Sequence, residues 1–310
     1  MITTVTLNPA IDRTIVVNKL EPGHIHRAVK TIVSMGGKGI NVSHSLLTLG
    51  MDTIALGFVG SRNASEIEEL LRADGIRSDF VSIDALTRTN TKLVDRFSQT
   101  TTDINETGFS VEKSDFDALI GKILQYAGQS AYMVFSGSVP VGLTPDCYHK
   151  LISLVSGSCK VILDADHLLL REALSASPYM IKPNIAELEN CVSRKFRTKE
   201  EIITVTRSLL IHNGIEIGLV SLGNQGSILV TAKTAYFSAP IAVRVKGTVG
   251  AGDAMLAGFL YGLSQDENDL VEALSLATLC GTSAVCKDGT QGFCRDDITC
   301  LREHVRITQM

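Results

Sequence analysis

Gly247-Thr248-Val249-Gly250-Ala251-Gly252-Asp253-Ala254-Met255 is the stretch from which the rest of the chain can be read. Two glycines bracket an alanine, an acid follows at once, and an apolar helical pattern begins. Ala254, Ala257, Gly258 and Tyr261 fall on one face at helical spacing. A glycine-rich turn that opens a helix points several backbone N–H groups at one spot, and the helix dipole adds positive potential there. Such a spot binds anions. Asp253 stands at its rim, and an anion cradle beside a carboxylate suits phosphoryl transfer, with the acid as base for an attacking hydroxyl. Taken alone, the four residues Gly250–Asp253 are equally a turn with an acidic first-turn residue. The rest of the chain has to decide.

Outward from that turn, the second glycine run is Met35-Gly36-Gly37-Lys38-Gly39-Ile40-Asn41. Three glycines let the backbone approach a ligand closely, and a helix follows. Lys38 can neutralise a phosphate and Asn41 can bond a hydroxyl. The spacing is not that of a P-loop.

The chain has 310 residues, 45% of them hydrophobic and 20% charged, which is a globular composition. A net charge of −4 argues against a nucleic-acid footprint but leaves room for a local basic pocket. The seven cysteines are an odd number without zinc spacing, so reduced, mostly buried thiols in a reducing cytoplasm are expected. The N-terminus lacks the pattern of a signal peptide, and no run of apolar residues is long enough to span a membrane.

Residues 2–7, 53–58, 131–135, 160–163, 179–181 and 217–221 read as short apolar strands. Residues 39–49, 65–74, 114–127, 145–155, 168–176, 184–192 and 198–213 read as helices. Ser65–Glu68 and Thr198–Glu201 have capping-box order. Residues 228–230 and 234–237 suit a hairpin, and helices over 252–264, 268–287 and 296–305 close the chain. This alternation predicts a mostly parallel sheet covered on both faces. Thr14–Val33 and Thr89–Asn105 are rich in β-formers and lack intervening helices. They predict either a small separate sheet, placed as a lid that excludes water, or extra edge strands of the main sheet. With no repeat and no linker, residues 1–310 read as one domain with a lid over about 12–33 and 88–108.

In order along the chain, Thr6–Asp12, Gly36–Asn41, Thr87–Lys92, Thr102–Gly108, Ser136–Gly142, Lys182–Leu188, Val220–Gly226 and Thr248–Asp253 resemble the PfkB/ribokinase family of carbohydrate kinases. The resemblance covers essentially the whole chain. It implies a three-layer αβα ribokinase-like fold carrying a β-sheet lid, often used for homodimerisation. The implied reaction is ATP- and Mg²⁺-dependent phosphorylation of a ketohexose phosphate, fructose 1-phosphate to fructose 1,6-bisphosphate, with K⁺ used by some members. Phosphorylation of tagatose 6-phosphate is the alternative. A non-catalytic sugar-phosphate-binding regulator is the alternative from another class.

Residue roles follow from the resemblance and the chemistry together. Asp253 is the expected base, and the backbone of Gly250, Ala251 and Gly252 the anion hole. Asp12 and Asn41 are expected at sugar hydroxyls, with close backbone approach at Gly37. Lys38 and Arg88 are expected at the phosphate already on the sugar, with Arg27 as a third cation. Ser221, Gly223 and Gly226 would border the nucleotide. Asn184 and Glu187 would face the triphosphate, and Glu187 would hold Mg²⁺ through water. His24, His26 and His44 read as surface or lid residues, and Glu68-Glu69 as a solvated helix face.

Asp164-Ala165-Asp166-His167 departs from the family pattern, which usually has an aspartate followed by small hydroxyl residues and glycine. Contacts at the edge of the site, and with them substrate preference, are the features this departure touches.

Overall fold

The computed structural model describes residues 1–287 and 292–310. The first part of the chain forms β1 (Ile2–Thr6), β2 (Ala10–Val17), β3 (Lys30–Gly36), α1 (Lys38–Thr48), β4 (Thr53–Gly60), α2 (Ala64–Ala73) and β5 (Val81–Ile83). There follow β6 (Arg88–Asp95), β7 (Thr100–Asn105), α3 (Lys113–Ala127), β8 (Tyr132–Ser136), α4 (Cys147–Val155), β9 (Lys160–Asp164), α5 (His167–Ala173) and β10 (Met180–Ile181). The last part contributes α6 (Ile185–Cys191), α7 (Lys199–Asn213), β11 (Ile217–Ser221), β12 (Ser227–Val230), β13 (Ala235–Ser238), α8 (Ala251–Gln265), α9 (Leu270–Val285), α10 (Arg295–Leu301) and β14 (Ile307–Gln309).

The large sheet has ten strands in the order β14-β13-β12-β11-β10-β9-β8-β1-β4-β5. From β11 to β5 every pairing is parallel, and β12, β13 and β14 add an antiparallel edge. Successive residues of one strand point to opposite faces, and both faces are apolar. Met133 and Phe135 join the core under α3–α7, whereas Tyr132 and Val134 join the core under α1, α8 and α9. The result is the expected three-layer αβα architecture. Gly258 lets α8 lie against α9, since a Cβ there would stand 2.5 Å from the Leu276 carbonyl oxygen.

The small sheet, in the order β3-β2-β6-β7, is separate from the large one, which decides between the two readings of the Thr- and Val-rich segments. Its strands begin at Ala10 and include Lys30–Gly36, slightly outside the expected range.

Several local expectations are corrected. The two outer strands β5 and β14, of three residues each, had no signal in the sequence. The last helix stops at Leu301, followed by one tighter turn over Arg302–His304 and then by β14. The Ser65 capping box does not form, because the helix starts a residue earlier with Asn63 before it. Thr198 does cap α7 through its hydroxyl, while Glu201 turns to the Arg197 N–H. All seven cysteines are free, with Cys147, Cys191 and Cys280 buried and Cys300 exposed, so burial is less general than expected. Among the described residues no helix is long and apolar enough to cross a membrane.

Candidate active site

In parallel sheets ligands gather beyond the carboxyl ends of the strands, where strand order reverses. Here β4 and β5 lie on one side of β1, and β8 to β11 lie on the other. The strand ends Thr6, Ser136 and Asp164 are in register across that reversal. Lys182 and Ser221 end or follow the next strands of the row.

Asp253 stands over this edge in the first turn of α8. Gly250 precedes the helix at φ 77°, a left-handed conformation that glycine adopts at no steric cost. Ala251 N–H leans on the Thr248 carbonyl at 3.4 Å, closing the turn. The N–H groups of Gly250, Gly252 and Asp253 have no partner among the described residues. These three N–H groups are therefore open to an anion, whereas the expected Ala251 N–H closes the turn instead. Asp253 is only 6% exposed, and burial lifts its carboxyl to about 6. The like charge of Asp164 pushes the same way, while Asn41, Lys182 and Lys38 pull it down. Asn41 Nδ2 donates to Asp253 Oδ2 at 2.8 Å.

Lys38 opens α1 one turn before Asn41. Gly37, the residue before the helix, has φ 123° and lies against the Thr6 side chain. Lys38 Nζ is 3.0 Å from Asp164 Oδ1 and 3.7 Å from Glu187 Oε1. Burial works against its charge, but Asp164 and then Glu187 hold the ammonium well above its usual value. The second Asp164 oxygen takes Lys182 Nζ at 3.0 Å. Asp164 is fully buried, and Lys182 and then Lys38 hold its carboxyl below the usual value against that burial. Asp164 and Lys182 carried no role in the sequence reading. The available signal was a charged residue at, or one position beyond, the end of an otherwise apolar strand. The Asp166-His167 departure leads away from this cluster: the His167 ring pairs with Asn190 Nδ2 at 2.9 Å.

On the small-sheet side, Asp12 lies opposite Asn90 and accepts from its Nδ2 at 3.1 Å. A Cβ on Gly36 would stand 2.2 Å from Asp12 Oδ2, so only glycine lets that carboxylate rest on the β3 backbone. Burial raises the Asp12 carboxyl, opposed by Asn90, Lys92 and Arg88. Arg88 donates to the carbonyls of Asn8 at 3.0 Å, Pro9 at 3.3 Å and Glu106 at 2.9 Å. Three of its five N–H groups thus go to the β1–β2 connection and to the residue that follows β7, and two remain. Arg27 is exposed in the β2–β3 connection, as is His24, and the His26 ring meets Glu21. His44 departs from its surface assignment. It lines a cavity of about 10 Å³ behind the Gly250 turn, together with Asn41, Ser45, Val249, Ala284 and Gly292.

On the remaining side, Asn184 caps α6. Its Oδ1 accepts from Glu187 N at 2.9 Å, and Glu187 Oε2 accepts from Asn184 N at 2.8 Å. Glu187 Oε1 has no hydrogen bond among the described residues and faces Lys38. Ser221 bridges to Asn184, Gly223 begins the tight turn that follows at φ 62°, and Gly226 backs onto the Ser238 carbonyl. The geometry brings Asp253, Asn41, Lys38, Asp164, Lys182 and Glu187 into one charged cluster. Asp12 and Arg88 form a second group on the small sheet.

The pfkB family carbohydrate kinase pattern matches residues 5–297. The chain belongs to that family. A pfkB kinase transfers phosphate from ATP to a hydroxyl group of a carbohydrate and works with a metal ion, which fits exposed N–H groups at a helix start beside a raised carboxyl. A Borreliella burgdorferi protein named 1-phosphofructokinase is 34% identical over 93% of this chain and 92% of its own length. A Xanthomonas campestris protein of the same name is 36% identical over 89% and 88%. The fold is also that of the Escherichia coli phosphofructokinase-2 structure in complex with potassium, with a TM-score of 0.92 at 24% identity over 98% of both chains.

Proposed function

We propose that this pfkB kinase phosphorylates fructose 1-phosphate from ATP, giving fructose 1,6-bisphosphate. Its relatives named 1-phosphofructokinase support the choice of sugar. The observation that carries the chemistry is Asp253: buried, oriented by Asn41, and next to three N–H groups at a helix start that have no partner among the described residues.

The acceptor hydroxyl of the sugar, on the carbon remote from its phosphate, gives its proton to Asp253. Its oxygen forms a bond to the γ-phosphorus, the bond from that phosphorus to the β–γ bridging oxygen breaks, and ADP leaves with the electron pair. The N–H groups of Gly250, Gly252 and Asp253 hold the moving phosphoryl oxygens. Asp12, the Oδ1 of Asn41 and the backbone at Gly37 orient the sugar. The two remaining Arg88 N–H groups meet the phosphate already on it. Ser221, Gly223, Gly226 and Asn184 border the nucleotide. Lys38, tied to Asp164 and Glu187, serves the transfer centre rather than the sugar phosphate.

The cluster counts three carboxylates (Asp164, Glu187, Asp253) against two ammonium groups, so a polyphosphate needs a further cation there. Among the described residues no group of three or more His, Cys, Asp or Glu forms a cage. Mg²⁺ commonly takes one or two carboxylates and fills its shell with water and phosphate, and Glu187 Oε1 is the available donor. Mg²⁺ would neutralise phosphate charge. K⁺ beside the start of α8 is part of the same reading, supported by the potassium complex of the E. coli neighbour. The small sheet acts as a lid within a single domain. It also carries the dimer contact, for which exposed Ile25, Phe97 and Ile104 are suited. A cytoplasmic site of action accords with seven free cysteines.

The test is coupled ADP release with ATP, Mg²⁺ and fructose 1-phosphate, using Asp253→Asn as the comparison. Loss of about 10³-fold or more in kcat with sugar-phosphate affinity kept supports the assignment. Retained turnover removes Asp253 from the role of base.

A further inference from the structure

We propose that Lys92 binds the phosphate already on the sugar, sharing it with Arg88; the inference rests on the kinase reading above. Lys92 stands on β6 four residues beyond Arg88. Side chains alternate along a strand, so Arg88, Asn90 and Lys92 share one face of the small sheet, and the register of β2 with β6 puts Asp12 on that face too. The Lys92 side chain is only 20% exposed. Its one ion-pair partner among the described residues is Asp103, its neighbour across on β7, at 3.8 Å. That distance is too long for a hydrogen bond, so the three donors of the ammonium have no acceptor among the described residues. A largely buried cation in that condition is unfavourable, and an anion entering the same face relieves it.

The order of residues along β6 places that anion. Thr87, just before the strand, is fixed to the body: its hydroxyl accepts from Gly60 N at 2.7 Å, and its N–H donates to Asn63 Oδ1 at 2.9 Å. From there β6 runs outward to Asp95, which pairs with Thr100 at the far end of the small sheet. Arg88 is at the body end, Asn90 beside Asp12 comes next, and Lys92 lies beyond both. Asp253 belongs to the body, in the first turn of α8. A sugar whose acceptor hydroxyl meets Asp253 and whose ring hydroxyls meet Asp12 carries its remote carbon toward the outer half of the small sheet. The phosphate on that carbon then comes within reach of Lys92 from the outer side and of Arg88 from the inner side. Their Cα atoms are roughly 13 Å apart along the strand, a gap that two long side chains close over Asn90. Burial raises the Asp12 carboxyl, and after Asn90 it is Lys92 and Arg88 that draw it down, so both cations act on the same spot.

The two cations do different work on a phosphate. Arg88 offers its remaining N–H groups in one plane, whereas Lys92 offers a point charge on a long stem that follows the phosphate. Asp103 is 53% exposed and water can take its charge when Lys92 turns to the ligand. The contact is lost on an unphosphorylated sugar, so Lys92 favours acceptors that already carry a phosphate.

The test measures kcat, KM for fructose 1-phosphate and KM for ATP in wild type, Lys92→Met, Lys92→Arg and Asp103→Asn, with thermal melts alongside. In Lys92→Met, KM for fructose 1-phosphate is expected to rise about 10- to 100-fold, with kcat and KM for ATP within about threefold of wild type. Lys92→Arg keeps the charge and is expected to recover most of that loss. Asp103→Asn frees the ammonium from its carboxylate and is expected to lower KM for fructose 1-phosphate about twofold or more. A folded Lys92→Met with KM for fructose 1-phosphate within about threefold of wild type, or with losses shared by kcat and KM for ATP, overturns the proposal. So does Lys92→Arg as impaired as Lys92→Met, or Asp103→Asn reproducing the Lys92→Met loss, which would make the lysine one half of a structural ion pair. If Lys92→Met does not fold, Asp103→Asn decides: a lowered KM supports the proposal, and an unchanged or raised one overturns it. Absence of turnover in the wild type itself would instead overturn the kinase reading on which the proposal rests.

Discussion

Asn41 Nδ2 donates to Asp253 Oδ2 at 2.8 Å, across a separation of 212 positions in the chain. This bond joins the first turn of α1 to the first turn of α8 and makes one centre of the two glycine runs. It favours the charged form of Asp253, whose carboxyl burial holds at about 6. A base must be deprotonated, so kcat is expected to fall as pH drops through about 6. Asn41→Leu removes the stabilising donor and raises the carboxyl further. The acidic limb of the kcat profile then moves to higher pH by about half a unit or more. A pH profile in which the limb stays in place would sever Asn41 from the base.

The same burial makes Asp253 a stability cost at neutral pH. Its folded-state value lies above its unfolded one, so the folded state binds the proton more tightly between about 4 and 6. Stability is lost as pH rises through that window and is not regained above it. Asp253→Asn removes the charge and is expected to melt higher than wild type at about pH 7.5, by on the order of 2 kcal/mol, the difference shrinking below about pH 4. Melts of both proteins across that range check it.

Gly36→Ala reaches Asp12 without changing it. The added methyl would stand 2.2 Å from Asp12 Oδ2 and must displace the carboxylate from its seat beside Asn90. A rise in KM for the sugar phosphate of about tenfold or more is expected, with KM for ATP nearly unchanged. Equal rises in both would place Asp12 outside the sugar site.

Asp164→Ala leaves Lys38 and Lys182 facing each other without the carboxylate that each is paired with at 3.0 Å. Loss of one partner from a buried pair costs about 3–5 kcal/mol. Urea denaturation should show that loss, with the larger part arising from Lys182, the more buried of the two lysines. A loss below about 1 kcal/mol would mean that water reaches the cluster.

The layered architecture was legible because its signals are local. Strands such as Tyr132–Ser136 are apolar on both faces, and helices with recognisable starts separate them. The glycine runs were legible for the same reason: glycine before a helix states a backbone need in a few residues. What the sequence hid depends on partners far along the chain. Val81–Ile83 and Ile307–Gln309 are strands only because β4 and β13 lie beside them. Arg88 offered a phosphate-binding guanidinium, and nothing local shows three of its donors going to the carbonyls of Asn8, Pro9 and Glu106. Lys182 and Asp164 each read as one charge closing an apolar strand. Only the parallel register of β9 and β10 turns them into a pair.

On the proposed function, this pfkB kinase acts on a ketohexose already phosphorylated at carbon 1. One coupled ADP-release panel tests it most directly, with fructose 1-phosphate, fructose 6-phosphate, tagatose 6-phosphate and fructose compared at saturating ATP and Mg²⁺. Fructose 1-phosphate is expected to give the highest kcat/KM, by about tenfold or more over each of the others. A higher value for tagatose 6-phosphate, fructose 6-phosphate or unphosphorylated fructose, or no turnover of fructose 1-phosphate, would contradict it.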